Sequence, residues 1–166
     1  VVSKSVRIGG NKFDEAIAAY VRKKHNLMIG EQTAEEIKIQ IGSAIELEQE
    51  SHMEVRGRDL LAGLPKTISV STNEVVEAIS QPLSSIITTI RAVLEQTPPE
   101  LASDIVDKGI VLSGGGALLA NLDQLVMDAT QVSCYIAEDP LLCVARGTGI
   151  ALEHLDAYKK AVLGSR

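Results

Sequence analysis

Aromatic side chains are scarce in this sequence: one Phe, three Tyr and no Trp, 2% of the residues in all. Proteins that hold single-stranded nucleic acid stack bases on aromatic platforms, and this chain has little with which to do so. Charge excludes the same partner, because 22 acidic against 16 basic residues leave a net charge of −6 that repels a phosphate backbone. Cys134 and Cys143 are too few and wrongly spaced for a disulfide framework or a zinc site, and His25, His52 and His154 stand far apart with no second ligand beside them. No window approaches about 18 consecutive apolar residues, and the opening residues show no charged segment followed by an apolar one of the secretory type. We expect a cytoplasmic protein that binds no nucleic acid and builds no metal site of its own.

What the chain does have is an ordinary globular composition, 45% hydrophobic and 23% charged, in 166 residues, enough for one well-cored domain or two small lobes. It is organised around Ile110-Val-Leu-Ser-Gly-Gly-Gly-Ala-Leu-Leu119. The apolar run from Ile110 to Leu112, rich in β-branched residues, predicts a short buried strand, and three glycines follow Ser113 before the next apolar segment. With no Cβ, Gly114, Gly115 and Gly116 can take positive φ and bring their backbone N–H groups close to a ligand. The same pattern also fits a tight strand-to-helix connection with no ligand. It is not a dinucleotide fingerprint, since Leu119 stands where the third glycine would be, nor a P-loop, since no Gly-Lys-Ser/Thr follows.

The chain opens on Val with a strand-like alternation from Val2 to Ile8, which needs a neighbouring strand and so suggests a piece of a longer protein. Gly9-Gly10 ends it, and Asn11 is the expected N-cap of an amphipathic helix carrying Phe13, Ile17, Tyr20 and Val21, with Arg22, Lys23 and Lys24 near its C-terminal end. Thr33-Ala-Glu-Glu36 fits a capping box opening a second helix, with Ile37, Ile41, Ala44 and Ile45 as its buried stripe. Glu35 and Lys38, three apart on it, read as a solvated ion pair. Met53, Val55, Ile68 and Val70 alternate with polar residues as two strands of a small antiparallel sheet, joined through Gly57, Gly63 and Pro65. A second capping box, Ser71-Thr-Asn-Glu74, opens a long helical region that Pro82 is expected to kink or divide. Thr97-Pro98-Pro99-Glu100 starts a further helix that ends at Gly109.

Beyond the glycine turn the expected elements are a short helix from Asn121 to Asp128, a strand from Val132 to Ile136, and a helix from Leu141 capped by Asp139-Pro140. Gly147 and Gly149 inside that helix weaken it unless something packs closely on them, and the strand and turn at 110–116 are the expected neighbour. The order of elements predicts an α/β protein. Residues 1–28 and 81–166 form one discontinuous lobe, residues 29–80 a smaller inserted α+β lobe, and a cleft lies at their junction.

Five stretches, in order, resemble signatures of the C-terminal half of the MreB family of bacterial actin-like proteins. They are Ile8-Gly-Gly-Asn-Lys-Phe-Asp-Glu-Ala-Ile17, Ile29-Gly-Glu-Gln-Thr-Ala-Glu-Glu-Ile-Lys38, Glu95-Gln-Thr-Pro-Pro-Glu-Leu-Ala-Ser-Asp-Ile105, Leu112-Ser-Gly-Gly-Gly-Ala-Leu-Leu119 and Glu138-Asp-Pro-Leu141. The resemblance implies half of an actin-like ATPase fold: an incomplete ribonuclease-H-like lobe (1–28 and 81–166) with a small inserted α+β subdomain (29–80). It implies an ATP-binding cytoskeletal protein, using Mg²⁺ when full-length, that polymerises with copies of itself beneath the membrane. With membrane-linked adaptors and cell-wall elongation proteins, such a filament organises cell-wall synthesis in rod-shaped bacteria. Carried over from that family, Gly114, Gly115, Gly116 and Ala117 would approach the adenosine and α-phosphate, and Glu35, Glu36, Ile37 and Lys38 would line the adenine and ribose side.

The family's two Asp-x-Gly phosphate loops, its catalytic glutamate and its N-terminal membrane-binding element have no counterpart in these residues. Asp107-Lys-Gly109 is the only Asp-x-Gly, and it precedes a strand instead of following one. These residues alone are therefore expected to bind ATP weakly and not to hydrolyse it. Two other readings compete: a chaperone or kinase-type ATPase lobe of the same superfamily, and an interaction domain that uses no nucleotide.

Overall fold

A computed structural model describes residues 2–155. In chain order these form α1 (Gly10–His25), β1 (Leu27–Met28), α2 (Glu31–Ile41), β2 (His52–Asp59), β3 (Pro65–Ser71), α3 (Thr72–Gln96) and α4 (Pro99–Lys108). They continue with β4 (Ile110–Leu112), a 3₁₀ turn (Gly115–Leu118), α5 (Leu122–Thr130), β5 (Cys134–Ile136) and α6 (Cys143–Glu153). The core lies where α1, α2 and α3 meet. Phe13, Ile17 and Val21 come from the first helix, Ala34, Ile37 and Ile41 from the second, and Val75, Ile79 and Leu83 from the third, with Leu27, Val55 and Val70 of the adjoining sheet closing one side. Each large side chain so buried contributes about 1.5–3 kcal/mol.

That sheet is antiparallel in the order β1-β2-β3; β2 and β3 are the two strands the alternation predicts, and the fold sets Val55 opposite Ile68 and Met53 opposite Val70. Gly57 is not part of the connection. It lies inside β2, where a Cβ would come within 2.4 Å of the Met28 carbonyl oxygen, so its bareness is what lets β1 lie alongside. A second, parallel pair joins β4 to β5. The turn between β2 and β3 is closed by Asp59, whose Oδ1 accepts from the Leu61 and Ala62 N–H groups at 2.8 and 2.9 Å and whose Oδ2 accepts from Lys66 Nζ at 2.9 Å.

The Ala62 N–H, the Lys66 ammonium and the Leu61 N–H pull the Asp59 carboxyl down from 3.8 to about 2. A carboxyl depressed in the folded state stabilises it fully above the ordinary value, and that contribution disappears as pH falls through the folded one. The protection of the Leu61 and Ala62 amides, relative to unstructured amides at the same pH, should therefore hold from neutrality to about pH 4 and fall between about pH 4 and 2. Exchange at the unstructured rate already at neutral pH would show that the turn is not held this way.

The capping box at Ser71 forms as predicted: Glu74 N–H donates to Ser71 Oγ at 3.4 Å, and Ser71 N–H donates to the Glu74 carboxylate at 3.0 Å. The helix after Pro98 likewise runs to Gly109, whose φ of 80° and close approach to the Ser133 carbonyl (2.7 Å from an added Cβ) require glycine.

Other expectations fail for physical reasons. Residues 2–8 form no strand, because no described strand lies beside them to pair with. Helix α1 starts at Gly10 with Gly9 as its cap, which leaves the Asn11 side chain free for another role. Helix α2 starts at Glu31 with Gly30 as its cap, so Thr33 sits inside the helix and its apparent capping box is unused. Pro82 does not divide α3, since Val75, Ile79 and Leu83 bury one continuous face on both sides of it. Helix α6 starts at Cys143, two residues later than expected, and a Cβ on Gly147 or Gly149 would meet nothing within 4 Å. The expected close packing of the 110–116 segment on those glycines is thus absent among the described residues. The part of the predicted larger lobe at 156–166 lies outside them.

Candidate functional site

A cleft of about 430 Å³ opens between the start of α1, one face of α2 and the 3₁₀ turn. Glu35, Lys38 and Ile39 reach it from α2, Asn11 and Phe13 from α1, and Gly115, Gly116 and Leu118 from the turn, with Leu141 at the edge. The two walls are pinned together just behind it. Ala44 N–H donates to the Ala120 carbonyl at 2.8 Å, and Asn121, in the left-handed conformation, donates from its side chain to the buried Ser43 hydroxyl at 3.0 Å.

Lys38 does not pair with Glu35. Its ammonium reaches across to α1, lying 2.8 Å from Asp14 Oδ1 and donating to Asp14 Oδ2 at 3.0 Å and to the Gly10 carbonyl at 3.4 Å. Oδ1 is in ionic contact with the ammonium, but no donor is directed at it. A buried carboxylate on α1 outcompetes a solvated one on the same helix, because burial makes an unpaired charge costly.

Of the three glycines only Gly114 takes positive φ (84°), and its N–H is occupied by the Pro140 carbonyl at 2.8 Å. An added Cβ at Gly115 would lie 3.3 Å from Leu141 Cδ2, whereas one at Gly116 would point into open space. The turn therefore offers close approach at Gly116 more than a ring of free amides.

The structure thus brings four of the predicted residues, Glu35, Lys38, Gly115 and Gly116, to one cleft. The other four do not line it. Ile37 is wholly buried in the core, Ala117 is buried beneath the turn, Glu36 is exposed elsewhere on α2, and Gly114 forms the back of the turn. The sequence reading missed Asn11, Phe13, Ile39, Leu118 and Leu141. The signal for Ile39 was present: it is 72% exposed one helical turn after Glu35, an apolar residue on a face that is otherwise polar.

A separate charged cluster joins the end of α1 to the start of α3, and none of its residues lines the cleft. Glu74 Oε1 contacts His25 Nε2 at 2.9 Å and Lys24 Nζ at 3.2 Å, and Tyr20 donates to Glu77. Hydrogen bonds to Tyr20 and Glu74 push the Lys24 ammonium above its ordinary range. Burial raises the Glu74 carboxyl, but the Ser71 N–H, Lys24 and His25 outweigh it and hold it low.

This arrangement of helices, sheets and cleft is that of part of an actin-like protein. The MamK double helical filament shares the fold, at 23% identity, with a TM-score of 0.66 over 80% of this chain and 40% of that one. Residues 1–160 match the MreB/Mbl protein family, and the chain belongs to it. It is 53% identical over 158 residues to the cell shape-determining protein MreB of Escherichia coli (strain K12), which covers 95% of this chain and 46% of that protein. MreB5 of Spiroplasma citri bound to ADP superposes with a TM-score of 0.90 at 40% identity, covering 99% of this chain and 49% of that one. The chain spans about half the length of these relatives. Membership of this family sets aside the chaperone and kinase lobes.

Proposed function

We propose that the protein is a subunit of a nucleotide-dependent filament that organises cell-wall synthesis and rod shape, and that this chain forms the adenosine side of its nucleotide cleft. The observation that carries this is the meeting of Glu35 and Lys38 with Gly115 and Gly116 in one cleft. Its surroundings suit a nucleoside. Ile39, Leu118 and Leu141 offer exposed apolar surface to a planar base, and Glu35 and Asn11 offer partners for sugar hydroxyls. The bare Gly116 leaves room for close approach. Within the family, MreB5 has been solved bound to ADP and to AMPPNP. ATP, with Mg²⁺ in the intact protein, is the cofactor this supports, and residues 1–166 alone bind it weakly and do not hydrolyse it. Residues 1–28 and 81–166 form one lobe and 29–80 an inserted one. The β2–β3 hairpin, which lies wholly within 29–80, supports this division, with β1 of the first segment pairing along its edge.

One surface suited to a contact between subunits is the β2–β3 tip. There Leu61 and Leu64, 84% and 64% exposed, are displayed on the turn that Asp59 holds. The intact protein is expected to sediment with ATP and not without it. The double substitution Leu61→Asp, Leu64→Asp should abolish that sedimentation while leaving nucleotide affinity unchanged. Filaments that form regardless of ATP, in a protein that binds no ADP, would reject the nucleotide reading. Filaments that survive the double substitution would reject the tip. The filament works on the cytoplasmic side of the membrane with membrane-linked adaptors and cell-wall elongation proteins. No helix among the described residues is long and apolar enough to cross a membrane.

A further inference from the structure

We propose that Asp14 is the positioning residue of the cleft: it fixes the Lys38 ammonium on the cleft wall and cancels its charge, so that Lys38 meets the nucleotide as an oriented donor. This rests on the cleft being the adenosine side of a nucleotide site. Asp14 lies on the buried stripe of α1, between Phe13 and Ile17, where helical periodicity calls for an apolar side chain. It is the one charged residue among the buried described residues, 8% exposed. A carboxylate is costly there unless paired, and its partner is Lys38.

A buried ion pair adds little stability that an apolar pair would not also give. What an apolar pair cannot give is an ammonium at a set place beside Glu35. Lysine is a flexible point charge on a stem of four carbons, and left free it would point at water. The Asp14 carboxylate and the Gly10 carbonyl both hold it against α1. With Lys38 neutralised by Asp14, Glu35 leaves this wall with one net negative charge. Such a wall disfavours phosphate and favours the uncharged sugar and base, so the same pair that orients Lys38 also sets which end of the nucleotide lies here.

The test uses the intact protein, with ATP affinity measured by fluorescence titration and melting temperature measured without nucleotide. Asp14→Asn and Lys38→Met should each weaken ATP binding roughly tenfold, the size of one oriented hydrogen bond to a charged group, and the double variant should be no weaker than either. A role confined to folding would lower the melting temperature of Asp14→Asn and leave the affinity of the folded protein intact, which overturns the proposal. Additive losses in the double variant overturn it as well. Should Asp14→Asn fail to fold, Asp14→Glu keeps the charge but displaces the ammonium by a methylene. It is expected to weaken ATP severalfold, and wild-type affinity in it is again a refutation. Wild-type protein that binds neither ATP nor ADP would bring down the nucleotide reading and the proposal together. Wild-type binding that Lys38→Met weakens and Asp14→Asn does not would reject the proposal alone.

Discussion

Replacing Gly116 by valine is expected to weaken nucleotide binding by the intact protein on the order of a hundredfold, about 3 kcal/mol, while leaving its melting temperature nearly unchanged. The asymmetry comes from what surrounds the residue. A Cβ at Gly116 meets nothing within 4 Å, so the substituted protein has no clash to relieve. Gly116 lines the cleft, so a nucleoside approaching this turn would have to make room for two new methyl groups. The neighbouring glycines would respond differently. Valine at Gly115 presses on Leu141, and valine at Gly114 is forced to φ of 84°, so both lose stability as well as binding. Titration of Gly116→Val with ADP beside a thermal melt decides the matter: wild-type affinity would show that the nucleotide does not approach this turn.

The largest loss of stability is expected from Phe13→Ala, about 3–5 kcal/mol, which in a chain of this size lowers the melting temperature by roughly 10 °C. Phe13 is the only phenylalanine in the sequence and is 2% exposed, packed in the core formed by α1, α2 and α3. Its ring also floors the cleft. Removing it therefore opens a cavity beneath the wall that carries Lys38, and nucleotide affinity should fall along with stability. A shift of only a degree or two in the melt would mean that the core does not depend on this ring.

Features encoded within a few residues were readable in advance. Ser71 and Glu74 cap α3 because both partners of the capping box lie within four residues. The alternation of Met53, Val55, Ile68 and Val70 marks β2 and β3 as strands and shows which of their faces is apolar. Thr33 and Glu36 carry the same capping pattern and do not use it, because Gly30 starts the helix three residues earlier, a choice made by packing and not by the motif. The partner of Lys38 was hidden for a related reason: Asp14 is 24 residues away, and only the crossing of α1 over α2 brings them together. Gly114 carries the pattern of a ligand donor, but its N–H is taken by the Pro140 carbonyl, again a partner distant in sequence. Glycine spacing shows where the backbone can bend, whereas hydrogen-bond occupancy depends on the rest of the fold.

The bonds from Ala44 to Ala120 and from Asn121 to Ser43 have a mechanical consequence for any ligand held in this cleft. They rivet the segment after α2 to the segment after the glycine turn as a single jaw, whose gape cannot vary without breaking a backbone hydrogen bond and the bond from the Asn121 amide to the buried Ser43 hydroxyl. A ligand seated here would meet a wall of set spacing, so adjustment on binding falls to the ligand and to the side chains that line the cleft.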